Sequence, residues 1–234
     1  MPEKNCEKNY ELIYFLIAVL IGAFVLGFKE FTIISFLYGF IMAFILLGIF
    51  VLTQKVIANL MDCKIKIKLW TGRRYWVTPE GSLNWDFPLF FVVPVLCSLL
   101  SRGSLKLMAL LSFDAFPAKG RITRRFYELR EFDFAIIASS GIIVSLVLAL
   151  FARITGFGEF ASIASLFALI NLIPLGNLNG TKIFFGSRIL WVFLVCLSLL
   201  IVILINLAHV IATIFITLIL AAAAAVVFYY FYEK

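Results

Sequence analysis

Long apolar runs alternate with short polar segments along most of the chain. The runs Glu11 to Phe28, Phe31 to Met61 and Phe134 to Phe151 each reach the ~18 residues that mark a helix able to cross a ~30 Å hydrocarbon core. The run from Arg188 to Tyr232 is too long for one crossing at ~1.5 Å per residue, so we expect a turn near Asn206 to His209. The pattern predicts an all-α polytopic membrane protein that ends in a helical hairpin.

Two further apolar runs are shorter. Phe160 to Ile173 predicts another span, whereas Phe87 to Leu100 has only about 14 residues, with Pro88 and Pro94 among them, and is short for a straight crossing helix. We therefore expect about six transmembrane helices plus one short or re-entrant segment in a single integral membrane domain, residues 1–234. Its parts are a first helix and turn (1–32), a core (33–186) and a C-terminal helical hairpin (187–234).

Between the second and third apolar runs the period of the sequence changes to two. Lysines at 64, 66 and 68 alternate with apolar residues, Thr71 and Gly72 form a turn signal, and alternation resumes up to Thr78. This predicts a β-hairpin over Lys64 to Thr78, with a further strand over Ser104 to Phe116, as a small sheet at the cytoplasmic interface. Two roles stay open: lysine contact with lipid phosphates, or pairing of the sheet edge with an extended segment of a membrane protein.

Composition agrees with a membrane protein and indicates which classes of partner it binds. Apolar residues make up 64% of the chain and charged residues only 14%, which excludes an ordinary soluble fold. The net charge of +7 comes from basic residues in loops, which favours contact with the lipid bilayer and its anionic headgroups over nucleic acid. The four cysteines lie far apart and form no Cys-x-x-Cys pair, so they predict neither a disulfide framework nor a thiolate metal site.

The distribution of basic residues predicts an orientation. If Phe87 to Leu100 does not cross, both basic loops lie on one side together with the terminal lysines, and only Lys29 and Arg153 lie opposite, as the positive-inside rule prefers. We therefore expect a multi-pass protein of the cell membrane with both termini in the cytoplasm.

The candidate site is a polar break in an apolar helix. Residues 171–180 read Asn-Leu-Ile-Pro-Leu-Gly-Asn-Leu-Asn-Gly, and freed backbone groups at membrane depth must be buried in protein or line a cavity. The proposed residues of the break are Asn171, Pro174, Asn177, Asn179 and Gly180. The amides either satisfy the broken helix alone or also contact a guest peptide.

Gln54 and Lys55, toward the cytoplasmic end of the second span, complete the candidate groove. Lys55 either extends its ammonium to the interface or makes a polar contact to the break.

The break resembles a motif of the site-2 protease family of intramembrane zinc metalloproteases, whose third zinc ligand is an aspartate in Asn-x-x-Pro-x-Pro-x-Leu-Asp-Gly. Four positions of that pattern match: Asn171, Pro174, Leu178 and Gly180. Gly176 replaces a proline, and Asn179 replaces the aspartate. Residues 182–188 are similar to those of small archaeal members. Gly141 matches the family's Ala-Gly-Pro-x-x-Asn pattern, in which Ile142 and Ser145 replace the proline and asparagine.

The resemblance also implies which catalytic groups are missing. The family takes two zinc ligands and a general base from His-Glu-x-x-His, and here Phe50 and Gln54 stand at the histidine positions and Val51 at the glutamate. The resemblance therefore implies the family's scaffold without its reaction and without a cofactor. We expect a catalytically inactive protein that binds transmembrane segments or a membrane partner between the second span and the break.

Two alternatives remain at this level. The first is an active intramembrane metalloprotease with an atypical zinc site drawn from Asp62, Cys63, Asp86 or His209. The second is a small membrane transporter that uses the broken helix as a midplane site, although the spans offer no carboxylate for coupling and no inverted repeat is found.

Overall fold

The computed structural model describes residues 3–29, 32–72, 87–104, 106–117, 130–205 and 210–232. Within these ranges the chain forms eight α-helices and two β-strands. In chain order they are α1 Glu3–Gly27, α2 Ile33–Leu60, β1 Cys63–Leu69, α3 Leu89–Leu100, β2 Leu111–Pro117, α4 Glu131–Ile154, α5 Gly158–Asn171, α6 Asn179–Gly186, α7 Arg188–Leu204 and α8 Val210–Tyr232.

Four of these helices are long and apolar enough to cross a membrane: α1 from Tyr10 onward, α2, α4 and α8. They identify the chain as a membrane protein, in agreement with the sequence pattern. The helices α3, α5 and α7 are apolar but have only 12, 14 and 17 residues. The predicted count of about six spans is therefore not confirmed.

The C-terminal run forms two helices, as its length predicts. α7 ends at Leu204, α8 begins at Val210, and the two helices pack against each other. The expected turn at Asn206 to His209 lies outside the described residues, between the two helix ends.

The sheet differs in its pairing from the predicted hairpin. β1 pairs antiparallel with β2, with Cys63 opposite Pro117 and Leu69 opposite Leu111. Its alternation follows the prediction, since Ile65 and Ile67 are buried whereas Lys64 and Lys68 are exposed. The predicted strand over Ser104 to Phe116 was too long at its start, because β2 begins only at Leu111. The return arm of the predicted hairpin, which ends at Thr78, lies outside the described residues.

Helix α6 was not predicted from the sequence. Its eight residues follow the break directly, and the helix packs along α4. Gly186 permits this approach, since a Cβ at that position would lie 2.5 Å from the backbone oxygen of Glu131. Without a hydrophobic driving force between helices in lipid, such small residues allow the close packing that holds helices together. Tertiary contacts, rather than local periodicity, account for α6.

Candidate binding site at the helix break

The break between α5 and α6 satisfies part of its own backbone with side chains. Asn171 is buried, and its Nδ2 donates to the carbonyl of Phe167 at 2.9 Å and to that of Met108 at 3.5 Å. The indole Nε1 of Trp191, on α7, donates to the carbonyl of Leu172 at 2.8 Å. The Leu172 carbonyl is freed by the end of α5 and needs such a donor where water is scarce, and Asn171 joins the last turn of α5 to the segment before β2. Asn171 therefore has a structural role in the break.

Two glycines allow the chain to fold back tightly after α5. A Cβ at Gly180 would overlap the backbone carbonyl of Leu172, so no other residue fits without moving the main chain. Gly176 has a φ of +58°, a left-handed conformation that glycine adopts readily. The proline expected at this position from the motif could not adopt it, because its ring fixes φ near −65°. The backbone of this break therefore depends on Gly176 rather than on a second proline.

The break brings α6 against α2. Gln54 is 2% exposed and Asn179 is fully buried, and Nε2 of Gln54 donates to Oδ1 of Asn179 over 3.5 Å. Within the described residues, Nδ2 of Asn179 has no hydrogen-bond partner. Two residues 125 positions apart in sequence thus form one buried amide pair. We call the space around this pair the junction.

An aromatic ring fills the rest of the junction. Phe50 is 1% exposed and meets Phe167 of α5 edge to face, with ring centroids 5.1 Å apart. Gly141 of α4 leaves the room for it, since a Cβ there would lie 2.7 Å from the Phe50 ring and 3.0 Å from Nε2 of Gln54. Val51, the next residue of α2, is also buried. The sequence-predicted positions on α2, α4 and α6 therefore meet at one packed point.

The donor set at the junction does not match zinc. Zinc in proteins takes cysteine, histidine or carboxylate ligands, whereas this point offers two neutral amides and a phenyl ring. Of the residues named for an atypical metal site, Asp62 is exposed and Cys63 is buried with its thiol donating to the carbonyl of Met61 at 3.2 Å. Asp86 and His209 lie outside the described residues.

Three other predicted site residues, Lys55, Pro174 and Asn177, do not lie in the junction. The ammonium of Lys55 binds the Glu11 carboxylate of α1 at 2.8 Å, although its neighbour Gln54 faces the junction. Pro174 and Asn177 are exposed, and the backbone carbonyl of Asn177 accepts a hydrogen bond from the hydroxyl of Ser112. Thus Asn171 and Asn179 point inward, whereas Asn177 lies at the surface beside β2.

A groove of about 480 Å³ lies on the opposite face of α6, between that helix, β2 and the start of α4. Its lining mixes aromatic and polar side chains from all three elements: Phe113, Asp114, Ala115, Phe116, Glu131, Phe134, Asn177, Thr181, Lys182 and Phe185. We call this space the β2 groove. Its volume falls in the range of ordinary ligand sites.

One edge of β2 faces this groove. The backbone carbonyl of Phe113 points away from β1 and accepts a hydrogen bond from Nζ of Lys182, whose ammonium also lies 3.7 Å from the Phe113 ring centroid. Because backbone groups alternate in direction along an antiparallel strand, the N–H and C=O of Ala115 face the groove as well. Pro117 ends the strand and has no N–H to offer. The edge available for pairing is therefore short and centred on Ala115.

Lys182 is the main residue of this site that sequence reasoning missed. Burial lowers the pKa of Lys182 from 10.5 to about 7, with the Asp114 carboxylate opposing that shift and Lys68 adding to it. Its partner in β2 lies 69 positions away, so the local sequence carries no signal for the contact. A lysine in the first turn of a helix directly after a break is the only hint that the sequence offers.

Comparison with known proteins finds no matching family model, no matching curated protein and no matching solved structure. The functional interpretation therefore depends on the junction and on the β2 groove.

Proposed function

We propose that this chain is a catalytically inactive relative of the site-2 proteases that binds extended or transmembrane segments of membrane proteins. The observation that supports this most is the buried pair of Gln54 and Asn179. By the motif resemblance these two residues stand where a histidine and an aspartate would hold zinc, and they lie against each other across α2 and α6. Phe50, at the other histidine position, occupies the same point.

The proposed binding site is the β2 groove rather than the junction. Phe50, Gln54 and Asn179 are buried against one another and leave no entry for a guest chain. The groove on the outer face of α6 offers the N–H and C=O of Ala115 for main-chain pairing and the rings of Phe116, Phe134 and Phe185 for apolar side chains. An extended segment that follows or precedes a transmembrane helix has this chemistry.

The proposed topology has about six crossings, with α3 as a short or re-entrant segment and both termini in the cytoplasm. In this arrangement α5 and α7 cross in addition to the four longer helices, and the sheet lies at the cytoplasmic interface. The placement of Lys64 and Lys68 on the exposed face of β1 supports it, because cytoplasmic headgroups attract basic residues.

Zinc content tests the inactive assignment. Wild-type protein purified in detergent is expected to hold no stoichiometric zinc, whereas the triple variant Phe50→His, Gln54→His, Asn179→Asp is expected to acquire it, because it restores two imidazoles and a carboxylate. The matched control is Leu52→His, Val56→His, Asn179→Asp, which keeps the spacing of four but places both histidines on the exposed face of α2. Stoichiometric zinc in the wild type that is lost in Asn179→Ala would overturn the proposal, as would equal zinc uptake by both triple variants.

Binding is tested with a defined probe. A synthetic peptide with one apolar span and a flanking Val/Thr-rich extended segment is expected to crosslink to protein that carries Ala115→Cys. N-methylation of alternate amides in the extended segment removes main-chain donors and should abolish the crosslink. Val56→Cys, on the exposed face of α2, is the control position. Crosslinking that is equal at the two cysteines, or indifferent to N-methylation, would contradict binding at the β2 edge.

A further inference from the structure

A second cavity, of about 390 Å³, lies at the end of α2 away from the sheet. It is enclosed by the last turn of α1, the first turns of α2, the segment after α3 and the start of α5. Its polar and charged lining residues are Lys29, Ser35, Tyr38, Ser104, Lys106 and Glu159. The junction and the β2 groove contribute no residue to it.

The polar groups of this cavity carry an excess of positive charge. The ammonium of Lys106 binds the carboxylate of Glu159 at 2.7 Å, which balances one cation with one anion. Lys29 is a second cation among the described lining residues, which include one anion, Glu159. Ser35, Ser104 and Tyr38 add hydroxyl groups to the lining of the same cavity. Two ammoniums and several hydroxyls are donors suited to the oxygens of a phosphate.

The backbone at Lys29 is held in place by the turn after α3. Arg102 and Gly103 both have positive φ, at 51° and 76°, and the N–H of Gly103 donates to the carbonyl of Ser98 at 2.8 Å. A Cβ at Gly103 would lie 3.2 Å from both Cα and N of Lys29. The turn therefore packs closely on Lys29 and fixes one wall of the cavity.

The cavity adjoins an apolar surface. Tyr38 lines the cavity and is half exposed, and Ile45 continues the same side of α2 two turns further on. A polar cavity at the end of apolar helices, continued by exposed apolar side chains, matches a ligand with a charged head and an apolar tail. The contacts of Gly103 with Lys29 and of Lys106 with Glu159 place Lys106 at this end of the helices, where only Lys29 and Arg153 were expected from the sequence. The positive-inside rule therefore does not account for Lys106 here.

We propose that this cavity is a phosphate-binding site. Its phosphate comes either from the headgroup of an anionic phospholipid or from a soluble phosphate ester, and the experiment below separates these sources.

The test measures binding to full-length protein in detergent by native mass spectrometry and by the ligand-induced rise in melting temperature. The probes are dioleoylphosphatidylglycerol, dioleoylphosphatidylcholine and inorganic phosphate. Phosphatidylglycerol is expected to bind more tightly than phosphatidylcholine, whose quaternary ammonium is repelled by the lysines. Binding of inorganic phosphate without preference for phosphatidylglycerol would identify a soluble source and still support the site.

Variants test whether the preferred probe binds in this cavity. Lys29→Gln with Lys106→Gln is expected to weaken binding of the preferred probe by about tenfold. The control Lys64→Gln, an exposed lysine on β1, should change it less than about twofold. Glu159→Gln removes the anion that competes for Lys106, so it is expected to tighten binding, a result that a poorly folded variant does not give. Unchanged binding in the double lysine variant, or weaker binding in Glu159→Gln, would overturn the proposal.

Discussion

The two faces of α6 meet opposite environments. The inner face places Asn179 in a packed junction with Gln54 and Phe50, where every group is neutral and buried. The outer face places the partly buried Lys182 at the wall of the β2 groove, where exposed rings and a partly unpaired strand edge remain accessible. One short helix thus separates a closely packed region from a region that is open to binding.

The two faces should differ most in the free energy of unfolding that is lost when an aromatic ring is removed. Phe50→Ala is expected to lower the free energy of unfolding by about 3 kcal/mol, because the junction is closely packed and loses the contacts to Phe167. Phe116→Ala, at a groove residue that is 44% exposed, should cost less than about 1 kcal/mol. Unfolding by dodecyl sulfate in mixed micelles measures both. Equal losses would show that the junction is not the more tightly packed region.

The amide pair should show a smaller effect that depends on both partners. Gln54→Met alone leaves Asn179 buried without its contact and is expected to cost about 1–2 kcal/mol. Gln54→Met combined with Asn179→Leu removes both polar groups and should cost less than the sum of the single changes. The same unfolding assay completes the double-mutant cycle. Strict additivity would mean that the two amides do not interact.

The groove should also give a pH dependence of stability. Burial lowers the pKa of Lys182 to about 7 in the folded protein, against 10.5 for an ordinary lysine. Between these values the unfolded chain binds more protons than the folded one, so stability should rise with pH across that window and should change little below about pH 7, where both states are protonated. The unfolding free energy of wild type minus that of Lys182→Met, measured from pH 6 to 10, isolates this slope. A flat difference would contradict the burial of the ammonium.

The elements that the sequence predicts well are those with a long local pattern. The apolar runs of α1, α2, α4 and α8 each carry enough residues to set a helix by themselves, and the lysine alternation marks β1. α6 has only eight residues, with polar groups in its first turn, and its packing depends on Gly186 lying against Glu131. That contact joins distant segments, so no local period reveals it.

The candidate site likewise contains contacts that the sequence predicted and contacts that it did not. A motif match directed attention to Asn179 and Gln54, and the structure places them in contact. It also separates Lys55 from them, because Glu11 of α1 supplies a carboxylate within reach. Neither the Lys182 contact nor the pairing of β1 with β2 follows from spacing, since both depend on how the chain returns after long connections. The contact of Gln54 with Asn179 could be predicted from the motif, whereas the contacts of Lys55 and Lys182 could not.

The hydrogen bond from Trp191 to Leu172 makes the C-terminal hairpin part of the site. The indole also meets the Phe184 ring edge to face at 5.2 Å, so α7 contacts both the break and α6. A protein truncated after α6 would keep every residue of the junction and of the β2 groove, yet it would lack the donor for that carbonyl. Deletion of the last two helices would therefore do more than remove a membrane anchor. It would disturb both faces of α6 together.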